Sequence, residues 1–171
     1  MGVYITLLGR STWALLNTFY AVANEGKEPD SVHIFVEKSY KDKLETAEEG
    51  VRIISDGFGF SPEIKSHIVN DAKFKDALSG MKETLQDLFN EENRILIDIT
   101  PGRKALVAGA LLSASRLTNK GEFNIDRIFY LAIETTEDVA KPYYMLPMEI
   151  QKLREMREEM KQAESENLEV G

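Results

Sequence analysis

Two short turns carry the residues best suited to chemistry. The first is "GRST", residues 9–12, and the second is "DITPGRK", residues 98–104. Arg10, Arg103 and Lys104 supply positive charge, and Ser11, Thr12 and Thr100 supply hydroxyls. Each turn sits between an apolar run and a helically periodic one, so each feeds a helix N-terminus. There, free backbone N–H groups and the helix dipole favour an anion. The chemistry on offer is the binding of a phosphate group and the stabilisation of charge that develops on it.

Each turn alone is a weak signal. "GRST" lacks the GxGxxG spacing of a dinucleotide site, and no GxxxxGK[ST] is present for a nucleoside triphosphate. Pro101-Gly102 occurs in ordinary turns, where Gly102 serves only for its backbone angles. Ser11 reads equally as a plain helix cap and Lys104 as a solvated first-turn lysine. Arg10 and Arg103 read equally as facing water or pairing with Asp98, Glu134 or the acidic tail.

The elements that position these turns follow from periodicity. "VYITLLG" (residues 3–9), "SVHIFVE" (31–37) and "RILIDIT" (94–100) read as strands, as does "IDRIFYLAIE". A weaker strand falls at 63–69. Helical spacing marks "STWALLNTFYAVANEG" and "SYKDKLETAEEGVRIISDGFG", the second despite Gly50. It also marks "AKFKDALSGMKETLQDLFNEEN", the stretch from about Arg103 to Leu117, and "MEIQKLREMREEMKQAESENLEVG". "KPYYMLP" reads as short and extended.

Strand and helix alternate, which predicts an α/β fold: a Rossmann-like three-layer sandwich with a mainly parallel central sheet and a C-terminal helix. Residues 1–148 form the Rossmann-like domain, and 149–171 the C-terminal helix with its acidic tail. With strand order 3-2-1-4-5, the first and fourth strands are neighbours whose connections leave in opposite directions. A crevice opens beyond their carboxyl ends, and both cationic turns meet there. That convergence lifts the site above its separate parts.

Composition narrows the rest. The 171 residues carry 29 Asp and Glu against 21 Lys and Arg, a formal charge of -8, which argues against a broad surface for duplex nucleic acid. Without cysteine there is no disulfide and no thiolate nucleophile. The N-terminal stretch reads as a strand rather than a signal peptide, and no apolar run is long enough to span a membrane. A cytoplasmic location is expected, with no membrane partner.

His33 reads as a core or half-buried histidine, and with His67 in a weak strand the two make no metal site. Asp98 and Asp126 are read as capping backbone groups. No metal and no cofactor are expected. "FGF" (58–60) and "YYM" (143–145) read as core or interface, with Tyr143 kept as a candidate for touching a base.

"LIDITPGRKALVAGAL" resembles the fourth-strand motif of CARF domains, the CRISPR-associated Rossmann folds. "YITLLGRSTWALLNTFYAV" and "IDRIFYLAIETTEDVAKPYYMLP" support the likeness, which covers about residues 1–150. The resemblance implies a homodimer that binds cyclic tetra-adenylate across its two-fold axis. Lys104 matches the lysine that contacts the ring phosphates, and Ser11 the polar residue of the first-strand loop. In stand-alone members, the ring nucleases, residues at these places support metal-independent phosphodiester cleavage, which switches off type III CRISPR signalling. The implied site is Gly9, Arg10, Ser11, Thr12, Thr100, Pro101, Gly102, Arg103, Lys104 and Tyr143, with Lys104 and Ser11 catalytic. Arg103 departs from the small residue usual before the lysine. No R-x-x-x-x-H ribonuclease motif or effector domain is recognisable, so a ring nuclease is expected. The alternatives are a binder that does not cleave and a module for another nucleotide or phosphorylated metabolite.

Overall fold

The computed structural model describes residues 2–70, 81–82, 84–88, 94–118, 125–134 and 140–169. Six strands form one sheet: β1 (Gly2–Leu8), β2 (Ser31–Glu37), β3 (Glu63–Val69), β4 (Arg94–Asp98), β5 (Ile125–Ile133) and β6 (Gln151–Glu155). Their order is β3-β2-β1-β4-β5-β6. The first five pair in parallel, and β6 runs antiparallel to β5.

Helices cover both faces. The helices are α1 (Thr12–Asn24), α2 (Leu44–Phe58), α3 (helical at residues 81–82 and 84–88), α4 (Lys104–Thr118) and α5 (Met156–Glu169). Successive residues of β1 point to opposite faces, as a strand requires. Tyr4 and Leu8 join Leu15, Phe19 and Val22 of α1 and Ala47 and Val51 of α2. Val3, Ile5 and Leu7 join Met81 and Leu85 of α3 and Leu106 and Ala110 of α4. Two cores on either side of one sheet give the three layers expected.

The glycine inside α2 has a packing reason. A β-carbon at Gly50 would lie 2.6 Å from Cδ2 of Leu16, so its absence lets α1 and α2 approach. A 3-10 turn, Lys38–Lys43, precedes α2 where helix was expected from residue 39. Most of the helix expected at "AKFKDALSGMKETLQDLFNEEN" lies outside the described residues. Its described part, in α3, is helical.

The C-terminal stretch differs from expectation. Helix begins at Met156, and residues 151–155 form β6 instead. Gln151, Leu153 and Glu155 lie opposite Ile133, Leu131 and Phe129. Pairing satisfies the open edge of β5, whose backbone groups would otherwise lack partners. Two polar residues on the inward positions hide the strand's period in the sequence. Glu155 then caps α5, accepting the Glu158 N–H at 2.8 Å, and also takes the Ile128 N–H at 2.9 Å. "KPYYMLP" is not extended but contributes the 3-10 turn Tyr143–Met145, followed by another at Met148–Ile150.

Candidate functional site

The two turns meet. A β-carbon on Gly9 would stand 2.6 Å from the Pro101 carbonyl oxygen, so glycine there lets the β1–α1 loop touch the β4–α4 loop. Gly102 is equally constrained: a β-carbon would lie 2.4 Å from Cδ1 of Leu7 and 2.9 Å from Cγ2 of Val107. The second loop folds down over the end of β1, and only glycine fits at that approach.

Ser11 is the N-cap of α1, its Oγ accepting the Ala14 N–H at 3.3 Å. The cap role and a ligand role are compatible, since the hydroxyl proton remains to be donated. Lys104 is the first residue of α4 and is exposed, and among the described residues its ammonium has no partner. A cation at a helix N-terminus opposes the dipole, and neither α1 nor α4 has an acidic residue in its first turn. The first turns of both helices therefore carry no acid to offset their positive ends.

The β2–α2 connection braces both loops, which the sequence reading did not anticipate. The Lys43 ammonium donates to the Arg10 carbonyl. Glu37, at the end of β2 and buried, pairs with Arg103 at 3.2 Å. Arg103 is thus tethered to Glu37, not to Asp98, Glu134 or the tail. The available signal was topological: β2 lies beside β1 in the expected order, so residues just past its end must border the same crevice.

A cavity of about 520 Å³ opens beside the first loop, lined by Arg10, Ser11, Thr12, Trp13, Lys43 and Thr46 among others. Tyr143 stands elsewhere. It packs on Tyr20 with ring centroids 5.2 Å apart, in a mostly apolar cleft with Asn17 and Ile53. That cleft shares Trp13, Leu16 and Thr46 with the cavity beside Ser11.

Thr100 turns inward. Its hydroxyl accepts the Leu131 N–H of β5 at 2.8 Å, and its own N–H donates to Oδ1 of Asp98 at 2.8 Å. Asp98 therefore caps a backbone group, as expected. Oδ2 of Asp98 also accepts from the Thr6 hydroxyl at 3.0 Å, while the Tyr4 hydroxyl lies close without hydrogen-bond geometry. Burial pushes the Asp98 carboxyl up to about 7, although its hydrogen bonds to Thr100 and Thr6 pull the other way. Asp126 pairs with Arg94 at 2.9 Å, far from the loops in the fold.

The two histidines are neighbours, not scattered residues. Nδ1 of His33 lies 2.9 Å from Nε2 of His67, and their rings stack 5.1 Å apart. Burial, then Lys65, lowers the His67 pKa. Among the described residues, no group of three or more His, Asp or Glu is placed to hold a metal ion. No described helix is long and apolar enough to cross a membrane.

The fold is a Rossmann-like α/β sandwich with both cationic loops at its topological switch point. No family model and no curated protein matches the chain. Two solved structures share the fold. Can2 from Sulfobacillus thermosulfidooxidans, in complex with cyclic tetra-adenylate, is 18% identical at a TM-score of 0.50, covering 76% of this chain and 32% of that one. Enterococcus italicus Csm6, bound to cyclic hexa-2′-fluoro-hexa-dAMP, is 16% identical at a TM-score of 0.54, covering 82% and 35%. The chain thus spans about a third of the length of each. The likeness is one of fold, the Rossmann-like α/β sandwich expected from the sequence.

Proposed function

We propose that this protein binds cyclic tetra-adenylate as a homodimer and cleaves it without a metal. The observation that supports the reading is the close approach of Gly9 to Pro101, which sets the loops before α1 and α4, with Arg10 and Lys104, side by side. The two fold neighbours, each solved with a cyclic oligonucleotide, support the choice of ligand. A two-fold axis beside the crevice would match a symmetric ring with a symmetric pocket.

Cleavage needs little beyond positioning. The ribose 2′-oxygen attacks the adjacent phosphorus, the bond from phosphorus to the 5′-oxygen breaks, and the 2′-OH proton ends on the departing 5′-oxygen. The products are a 2′,3′-cyclic phosphate and a 5′-OH. Lys104 stabilises the charge on the phosphate, Ser11 positions the phosphate or the 2′-OH, and Arg10 or Arg103 anchors a neighbouring phosphate. Lys43 stands beside Arg10 to do the same. The reaction would take place in the cytoplasm and lower the level of the messenger.

One observation favours binding without cleavage. The histidines lie within β2 and β3, Asp98 is buried, and Glu37 at the crevice is engaged by Arg103, so none of these stands free as a general base. Incubation with cyclic tetra- and hexa-adenylate in EDTA, followed by product separation, decides between the two. Under single turnover with enzyme above its dissociation constant, Lys104→Ala should lose on the order of 100-fold in rate. Lys152→Ala, an exposed cation on β6, should be unchanged. An intact ring with the wild type leaves the binder, and equal rates for Lys104→Ala remove the role given to that lysine.

A further inference from the structure

Asp98 ends β4 directly beneath the loop that carries Arg103 and Lys104, and its side chain is fully buried. Its two oxygens reach in different directions, Oδ2 to the Thr6 hydroxyl of β1 and Oδ1 to the Thr100 N–H. Thr100 is fastened in turn to β5 through the Leu131 N–H. One carboxyl therefore ties the ends of three adjacent strands to the first residues of the loop. A buried acid is costly even when its hydrogen bonds are made, and an apolar side chain would pack the core at less expense. An apolar residue would, however, leave the Thr100 N–H without an acceptor and the loop without its anchor.

The geometry points to Asp98 as the positioning residue of the crevice: through Thr100 it sets where residues 100–104, and with them the Lys104 ammonium, stand over the ligand. The inference rests on the crevice being the anion site proposed above. An anion held over the loop disfavours a second negative charge beneath it, so binding and protonation of this carboxyl are linked. Because burial holds its pKa near neutrality, about 7, the proton is exchanged in the working range of pH. Tyr4 of β1 is the titratable side chain acting on it. The other neighbours, Thr6, Thr100 and Phe129 of β5, carry no charge.

Asp98→Asn, Asp98→Ala and Thr6→Val test this by two readouts. In the ligand-free protein, amide chemical shifts of residues 100 and 102–104 should titrate with pH in the wild type. They should stop titrating in Asp98→Asn and move at all pH values in Asp98→Ala. Calorimetry with cyclic tetra-adenylate at pH 6 and pH 8 should show wild-type affinity falling as pH rises, with proton uptake on binding. Asp98→Asn keeps an acceptor for the Thr100 N–H and should bind with a flat pH profile. Asp98→Ala, measured on folded protein, should bind roughly tenfold more weakly, the loss expected for an anchoring hydrogen bond to a charged group.

Where Asp98→Ala does not fold, Thr6→Val, which removes one anchor and keeps the shape, should weaken binding in the same direction. A purely structural role would lower thermal stability and leave the pH profile of binding as it was. Unmoved amide shifts together with wild-type affinity in folded Asp98→Ala, or in Thr6→Val where Asp98→Ala does not fold, overturn the inference. If the wild type binds no cyclic oligoadenylate, the ligand reading fails by itself, and the ligand-free shifts still decide the part played by Asp98.

Discussion

Replacing Gly9 by alanine drives a wedge between the two loops of the crevice. The new β-carbon would lie 2.6 Å from the Pro101 carbonyl oxygen and 3.7 Å from the Arg103 nitrogen. Ordinary contact begins at 3.4 Å, so moving from 2.6 to 3.4 Å parts the two backbones by about 0.8 Å. Neither side yields as the tip of a side chain would. Gly9 follows Leu8, which is paired with Val36, and Arg10 is held by Lys43. Pro101 follows Thr100, which is bonded to Asp98 and Leu131.

Overpacking of this kind costs about 1–3 kcal/mol. Binding weakens as well, because the loops no longer present their cations together, and a displacement near 1 Å at a positioning group costs on the order of 100-fold in the rate of any cleavage. Urea unfolding and calorimetry with cyclic tetra-adenylate measure the two effects separately. Gly57→Ala is the control, since a β-carbon there meets nothing within 4 Å in α2. It should stabilise the helix by roughly 0.5–1 kcal/mol and leave affinity alone. A Gly9→Ala protein that unfolds at the wild-type urea concentration and binds as tightly would refute the contact on which the crevice rests.

Ser11→Ala should cost about 1 kcal/mol of stability through loss of the α1 cap, with the drop read by chemical denaturation. A cleavage defect that vanished once the folded fraction was corrected would leave Ser11 as a cap alone. The raised pKa of Asp98 gives a stability term that is full below about pH 4 and lost as pH rises to about 7, because the folded state holds the proton that the unfolded chain releases. Over that range it amounts to on the order of 4 kcal/mol, and Asp98→Asn should remove the slope. Parallel stability curves for the two proteins would contradict this. The lowered pKa of His67 acts in the opposite sense, its stabilisation being present above the ordinary histidine value of 6.5 and lost as pH falls through the lower folded one. NMR titration of the ring should place it below 6.5, and a value at or above that would show the burial argument to be wrong.

The sequence by itself determined the elements whose signals are local. Short β-rich runs located the first five strands, those of the sheet's centre being buried on both faces, and helical spacing located α1, whose burial on one face leaves its mark every third to fourth residue. Turn chemistry located both loops, and Ser11 sat where a cap must stand. The order 3-2-1-4-5, taken from the doubly wound pattern, matches the observed order of the first five strands, and it brings Gly9 to Pro101. Other features depend on partners distant in the chain and leave no local mark. Gln151 and Glu155 look helical until the open edge of β5 recruits them into β6. Arg103 could be paired with any of several acids, and only the end of β2 puts Glu37 within 3.2 Å of it. His33 and His67 come together because β2 and β3 are neighbours, and Tyr143 leaves the loops for Tyr20 because α1 offers an aromatic surface to stack on. Tertiary structure decided these, since a side chain's partner is set by proximity in space and the energy of the contact has no expression in the residues on either side of it.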